Sequence, residues 1–237
     1  MAMMMVDAGP SQYNKKRKRS NSKGAAGPVY IGPRMRGGQF YSNRVPRASG
    51  MRSTVEPGYV DLAAAAYALD TTGSITLLNT VPQGAGQSQR VGKRIALKSL
   101  QCHGSVYNGS TATISDTMYM IVYDKRPTGV LPAITDILTS ANPRAFNNDV
   151  NSGRFRIMKR VDEVLVGSAA NQYTARSAID ADWYLPLNGL PQVFKAAGTG
   201  AIGDIEEGAI YLVTVGGVAA GTGASVASVG FRVRYID

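Results

Sequence analysis

From Tyr59 to the C-terminus the apolar positions recur every second residue in short runs divided by Gly, Pro, Asn and Asp, a strand-like rather than helical period. The clearest run is Ser225–Ile236, with Val229, Phe231, Val233 and Tyr235 on one face and Arg232 and Arg234 on the other. Lys93–Tyr107 is longer and changes parity: Ile95 and Leu97 share one face, and from Leu100 the apolar set moves to Cys102 and Val106. Arg154–Val166 repeats the change, from Phe155 and Ile157 to Val164 and Val166. A one-residue switch within a strand is the signature of a β-bulge, so both runs predict bulged strands in a coiled sheet.

Thr117–Tyr123 is nearly all apolar, as expected of a strand covered on both faces, and ends at the loop Asp124–Gly129. Leu62–Leu69 has helical propensity, but its place ahead of the turn Asp70-Thr71-Thr72-Gly73 favours a strand from Tyr59. Further strands are predicted at Ser74–Val81, Thr174–Leu187, Gln192–Ala196 and Ala209–Val215. One helix is predicted, with Pro132 in its first turn, Ile134, Ile137 and Leu138 on one face, and Asn142-Pro143 as its stop. Eight or nine strands and one short helix exclude a Rossmann-like fold, which alternates strands with long helices. They fit an all-β, two-sheet antiparallel sandwich, jelly roll or immunoglobulin-like, and long strands with large loops favour an eight-stranded jelly roll.

Ahead of Tyr59 the pattern stops. Residues 1–52 hold eleven Lys/Arg against one acid, Asp7, and residues 53–237 hold fifteen of each, so the whole net charge of +10 lies in the first segment. Rich in Gly, Ser, Asn and Pro, that segment cannot bury enough apolar area to offset its ordering entropy, and it is expected to be a mostly disordered arm on a neutral domain spanning 53–237. Lys15, Lys16, Arg17, Lys18 and Arg19 form a dense block that suits nuclear import and phosphate neutralisation alike. Lys23, Arg34, Arg36, Arg44, Arg47 and Arg52 follow singly among glycines and aromatics, which suits backbone neutralisation and stacking on unpaired bases. Arg232 and Arg234 either extend this basic surface or pair with acids across strands.

The chain has one cysteine, Cys102, and one histidine, His103, so neither a disulfide framework nor a Cys/His zinc site is available. His103 lies on the face opposite Cys102, and the chain has no Gly-x-Ser-x-Gly elbow. It reads as a half-exposed strand residue, Cys102 as a small core hydrophobe, and the protein as no enzyme, with no cofactor and no catalytic residue. Asp204, Glu206 and Glu207 form the densest acidic group; it matches no calcium loop and reads as a solvated loop, so no metal is expected. Asp162-Glu163 and Asp180/Asp182 are left for pairing with arginines. No run reaches the roughly 18 apolar residues of a membrane helix, and no membrane partner is expected.

Several segments in order carry a resemblance: Gly92-Lys93-Arg94-Ile95-Ala96-Leu97-Lys98-Ser99-Leu100; Met118–Tyr123 leading into Asp124-Lys125-Arg126-Pro127; Phe146-Asn147-Asn148-Asp149; and Arg154-Phe155-Arg156-Ile157-Met158-Lys159-Arg160. Behind a basic arm, this series resembles the capsid proteins of circular single-stranded DNA viruses that encode a replication initiator, geminivirus-like coats above all. The coats of small satellite RNA viruses are similar in outline. The chain lacks the Cys/His elements that many geminivirus coats carry near the arm, and its C-terminal third is richer in Gly and Ala. The resemblance implies an icosahedral T=1-like shell of about 60 copies. It also implies an inward arm that packages single-stranded DNA, assembly in the host nucleus after passage by an import receptor, and residence in the virion. An RNA-packaging coat and a non-viral nucleic-acid-binding sandwich are the alternatives.

Overall fold

The alternation of the last strand is fully expressed in the computed structural model, which describes residues 57–109, 114–167, 177–195, 198–221 and 223–237. In order the strands are β1 (Gly58–Leu69), β2 (Ser74–Leu77), β3 (Arg94–Tyr107), β4 (Ile114–Asp124), β5 (Phe155–Val166), β6 (Ala178–Asp180), β7 (Trp183–Phe194), β8 (Ile205–Glu207), β9 (Ala209–Gly216) and β10 (Ser225–Ile236). Val229, Phe231, Val233 and Tyr235 of β10 are buried, while Arg232 and Arg234 are exposed. Burying the four contributes roughly 1.5–3 kcal/mol each, an upper bound because the unfolded chain is already partly compact.

Two antiparallel sheets result, β1-β10-β3-β7-β8 with β6 beside the end of β3, and β2-β9-β4-β5. Leaving out the three-residue strands β6 and β8, each strand passes to the opposite sheet except for the β4–β5 pair. That order is the jelly roll, two Greek keys wrapped into one sandwich. Leu97, Leu100, Val106, Leu165, Phe194 and Leu212 are among its core, and the Tyr123 hydroxyl of one sheet donates to the Pro191 carbonyl of the other at 2.7 Å.

Both predicted bulges are present. The ladders of β3 with β10 and with β7 both slip between Leu97 and Ser99: Lys98 is the extra residue against β10, and β7 sets Leu187, Asn188 and Gly189 against it. The β4–β5 ladder slips opposite Met158. Beyond that slip Leu165, not Val164 or Val166, is the fully buried residue of β5. By register Phe155, Ile157, Val164 and Val166 do share a face, but it is the outer face of the four-stranded sheet.

That outer face is roofed by residues 125–154. At the foot of the roof Lys125 N–H donates to Arg154 O at 3.0 Å, and Arg154 grips the buried Asp124 at 2.8 and 3.0 Å. Midway the Arg160 guanidinium donates to the carbonyls of Ala145 and Pro143, both at 3.0 Å, and to Asn147 Oδ1 at 3.1 Å. At the far end Arg144 pairs with Asp116 at 3.0 Å. Met118, Met120 and Val122 lie fully buried under this cover, which is why β4 reads as an unbroken apolar run.

The helix in the roof, α1, is one turn, Ile134–Ile137. Pro132 precedes its N-cap Ala133 rather than entering the first turn, and Leu138 is extended because it bridges Asn147. The helix thus ends well before Asn142-Pro143. β2 stops at Leu77, short of Val81, because the buried Asn79 amide takes over the backbone pairing: it donates to Gly208 O and accepts from Ile210 N–H, both at 2.8 Å. Trp183–Phe194 is one strand through Pro186 and Pro191, where two had been predicted, with Asn188 and Gly189 at positive φ in a bulge opposite Lys98. Its prolines are tolerated because its second side pairs only at Val193 and Phe194. Thr174 and Ala196, the outer ends of the two predicted runs, lie outside the described residues.

Candidate nucleic-acid interface

Among the described residues no segment roofs the outer face of the six-stranded sheet as residues 125–154 roof the other. Register sets its side chains in rows. Asp61, Arg232, Gln101 and Tyr184 form one row across β1, β10, β3 and β7, and Tyr59, Arg234, Ser99 and Pro186 form the next. Gly230 and His103 are neighbours in the row beyond Arg232.

Arg232 holds Asp61 with two 2.6 Å hydrogen bonds and lies 4.9 Å over the Tyr59 ring. The hydrogen bond from Arg232 holds the Asp61 carboxyl below the usual value and raises the guanidinium in turn. One of the two arginines is therefore in a cross-strand pair. Arg234 has no carboxylate within ion-pair distance among the described residues, and exposed Lys98 stands at the neighbouring bulge. His103 projects from this face, and its Nδ1 meets Asp182 Oδ1 at 2.7 Å.

The remaining predicted positions divide. Lys15, Lys16, Arg17, Lys18, Arg19, Lys23, Arg34, Arg36, Arg44, Arg47 and Arg52 lie outside the described residues. Cys102 is buried, and desolvation pushes its thiol up to about 12. Asp204 is occupied in its own loop, accepting from Gly200 N–H at 3.2 Å and Thr199 Oγ1 at 3.3 Å. Glu206 and Glu207 sit in strand β8 rather than in a loop, across a cleft from Arg94, Lys125 and Arg126. Asp162 pairs with Arg160. No three acidic, His or Cys side chains among the described residues are grouped to hold a metal ion.

Sequence reasoning missed the exposed rings of Tyr184 and Tyr107, which register places on this same open face. Alternation within β3 already signalled Tyr107, which is in phase with Gln101 and His103. Tyr184 was hidden because the bulge in β7 breaks the period.

A profile of the geminivirus coat protein/nuclear export factor BR1 family matches residues 8–237. The chain is 32% identical over 162 residues to the capsid protein of Miscanthus streak virus (isolate 91), covering 60% of this chain and 63% of that one. It is 33% identical over 107 residues to the coat protein of Maize white line mosaic Satellite virus, covering 44% and 49%. The alignments thus span less than two thirds of either relative. A solved structure of infectious bursal disease virus, Gx strain, aligns with 75% of this chain and 33% of its own, at 12% identity and a TM-score of 0.27.

Proposed function

Because the chain belongs to the geminivirus coat protein/nuclear export factor BR1 family, we propose that it is the structural protein of a small icosahedral, T=1-like shell. About 60 copies would enclose a single-stranded DNA genome through heterologous contacts that close on themselves. The observation that carries the packaging role is the partition of charge, +10 in residues 1–52 and zero in the remainder. A shell of that size places on the order of +600 against its genome, enough to neutralise part of a short single strand.

In this reading residues 1–52 bind phosphates without regard to sequence, and Lys15–Arg19 also serve nuclear import. The jelly roll supplies the shell wall, and no chemistry is asked of His103. Arg234 stands directly across from Tyr59, near the start of β1, and adds a positive charge to the domain's own open sheet face. Assembly belongs in the host nucleus, with the product residing in the virion.

The test is light scattering and electron microscopy of the full-length protein, with the 260/280 nm absorbance ratio read on the same fraction. Uniform particles that yield nuclease-sensitive single strands are expected, and resistance of those strands to ribose-specific digestion identifies DNA. A monodisperse monomer at every salt and protein concentration would remove the shell.

A further inference from the structure

Two faces of this sandwich are treated differently. Residues 125–154 seal the outer face of the four-stranded sheet, whereas the outer face of the six-stranded sheet carries rings. Tyr184 is 60% exposed and Tyr107 40%, the His103 side chain is 85% exposed, and Tyr59 lies on the same face at the β1 edge, opposite Arg234.

Beside His103 on this face is a cleft of about 350 Å3. Ala63, Gly230 and the Leu62 backbone line its floor, and Gln101, His103 and the Asp61–Arg232 pair form its walls. The floor exists because β1 bulges between Leu62 and Ala65, directly over Gly230. A Cβ at Gly230 would meet Ala64 N at 3.2 Å and Leu62 O at 3.3 Å, so the backbone packing keeps this position bare. A floor of small residues with an amide, an imidazole and a carboxylate-paired guanidinium at its rim has the composition that receives an unpaired base: a surface to stack on, and donors and acceptors to meet its polar edge.

Resting on the reading that the protein packages a single strand, we propose that this sheet face binds unpaired bases of that strand. One base is seated over Gly230, and Tyr184 stacks a neighbouring one. Arg234 and Lys98, in the adjoining rows and without ion-pair partners among the described residues, meet the phosphates. Those two positive charges favour a polyanion over a second copy of this neutral domain as the occupant. The arm would then supply charge and the sheet would supply stacking, with no preference for sequence.

The test compares full-length protein binding to a thymidylate strand of about 20 nucleotides and to an abasic strand of equal length, which keeps the phosphates and removes the bases. Tyr184→Ala and Tyr184→Phe are measured alongside, since an exposed side chain can be changed without unfolding the domain. The wild type should favour the thymidylate strand by about tenfold or more; Tyr184→Ala should cost about fivefold or more on that strand and nothing on the abasic one, and Tyr184→Phe should restore it. Equal affinity of the wild type for both strands, or an unchanged ratio in Tyr184→Ala, overturns the proposal and leaves the arm as sole binding element. Loss of particles by Tyr184→Ala in the absence of nucleic acid, with the ratio unchanged, also overturns it and makes the face a contact between copies. Failure of both strands to bind removes the packaging role as well.

Discussion

The Asp124–Arg154 pair tests the roofed-sheet architecture most directly. Asp124 is fully buried at the end of β4, and its carboxylate accepts from Arg154 at 2.8 to 3.2 Å, Arg126 N–H at 2.9 Å and the Tyr211 hydroxyl at 3.3 Å. Arg154 is only partly buried, with a quarter of its side chain exposed, and the hydrogen bond to Asp124 raises its already high pKa. The two partners are therefore unequal. Arg154→Met strands a carboxylate in the interior, at a cost of about 3–5 kcal/mol. Asp124→Asn leaves a neutral acceptor for the Arg126 amide and a guanidinium that reaches water, at a cost of about 1–2 kcal/mol. For a domain of this size the first loss lowers Tm by about 6–20 °C and the second by about 2–8 °C. Urea and thermal unfolding of dissociated subunits measure both, and salt should change the difference little because a buried pair is poorly screened. The decisive variant combines the two substitutions: with no carboxylate left to strand, it should recover at least half of the Arg154→Met loss. Equal losses in the single variants, or no recovery in the double, would refute the asymmetry and with it the account of how the roof is anchored.

Three further outcomes are expected. Asp61→Asn frees Arg232, so affinity for single-stranded DNA should rise a few-fold at low salt and the slope of log affinity against log salt should steepen by about 0.7; an unchanged slope would mean that Arg232 meets no phosphate. Removing that carboxylate also removes an exposed, solvent-screened pair of small worth to stability; because the folded Asp61 pKa is depressed by the Arg232 hydrogen bond, this contribution is present above the ordinary value of 3.8 and disappears as pH falls through the folded value. Burial pushes the Tyr123 and Tyr235 phenols from 10.0 up to about 12, so their proton-linked stability is intact below pH 10 and is lost as pH rises toward 12; absorbance at 295 nm and circular dichroism should change together, and full ionisation near pH 10 with the fold intact would contradict this. Cys102, at about 12 and buried, should resist iodoacetamide at pH 8 until urea unfolds the domain, and rapid labelling of the native protein would place it at the surface.

Strand identity and bulges were legible wherever side-chain parity carried the information, as at Leu97–Ser99 and along β10. Parity says which residues share a face but not what covers it. Val164 and Val166 differ in parity from Phe155 and Ile157; the bulge at Met158 returns all four to one face, and that face is turned from the sandwich core toward the roof of residues 125–154. The same long-range closure cut α1 to one turn, through the Leu138–Asn147 bridge. Arg90 was illegible for a related reason: fully buried, it lies 3.8 Å over the Phe194 ring and donates to Gly92 O at 2.7 Å, a setting assembled from β7 and a distant loop. On the candidate interface, alternation alone separated Arg232 and Arg234 from the core. Only cross-strand register reveals that Asp61 lies opposite Arg232 and that Gly230 opens a cleft beside His103.

Every residue of β9 is buried, because one of its sides faces the opposite sheet and the other the roof. Most antiparallel strands shed protection through their wet face, and this one has none. Its amides, bonded to β2 on one side and β4 on the other, should consequently be the last in the domain to exchange with deuterium, released only when the whole sandwich opens. Drift in sequence should be confined there too, since neither side offers a position where a polar side chain could reach solvent. Ala209–Gly216 is thus the segment in which a conservative core change, such as Val213→Ala, should alter the global unfolding rate rather than a local opening.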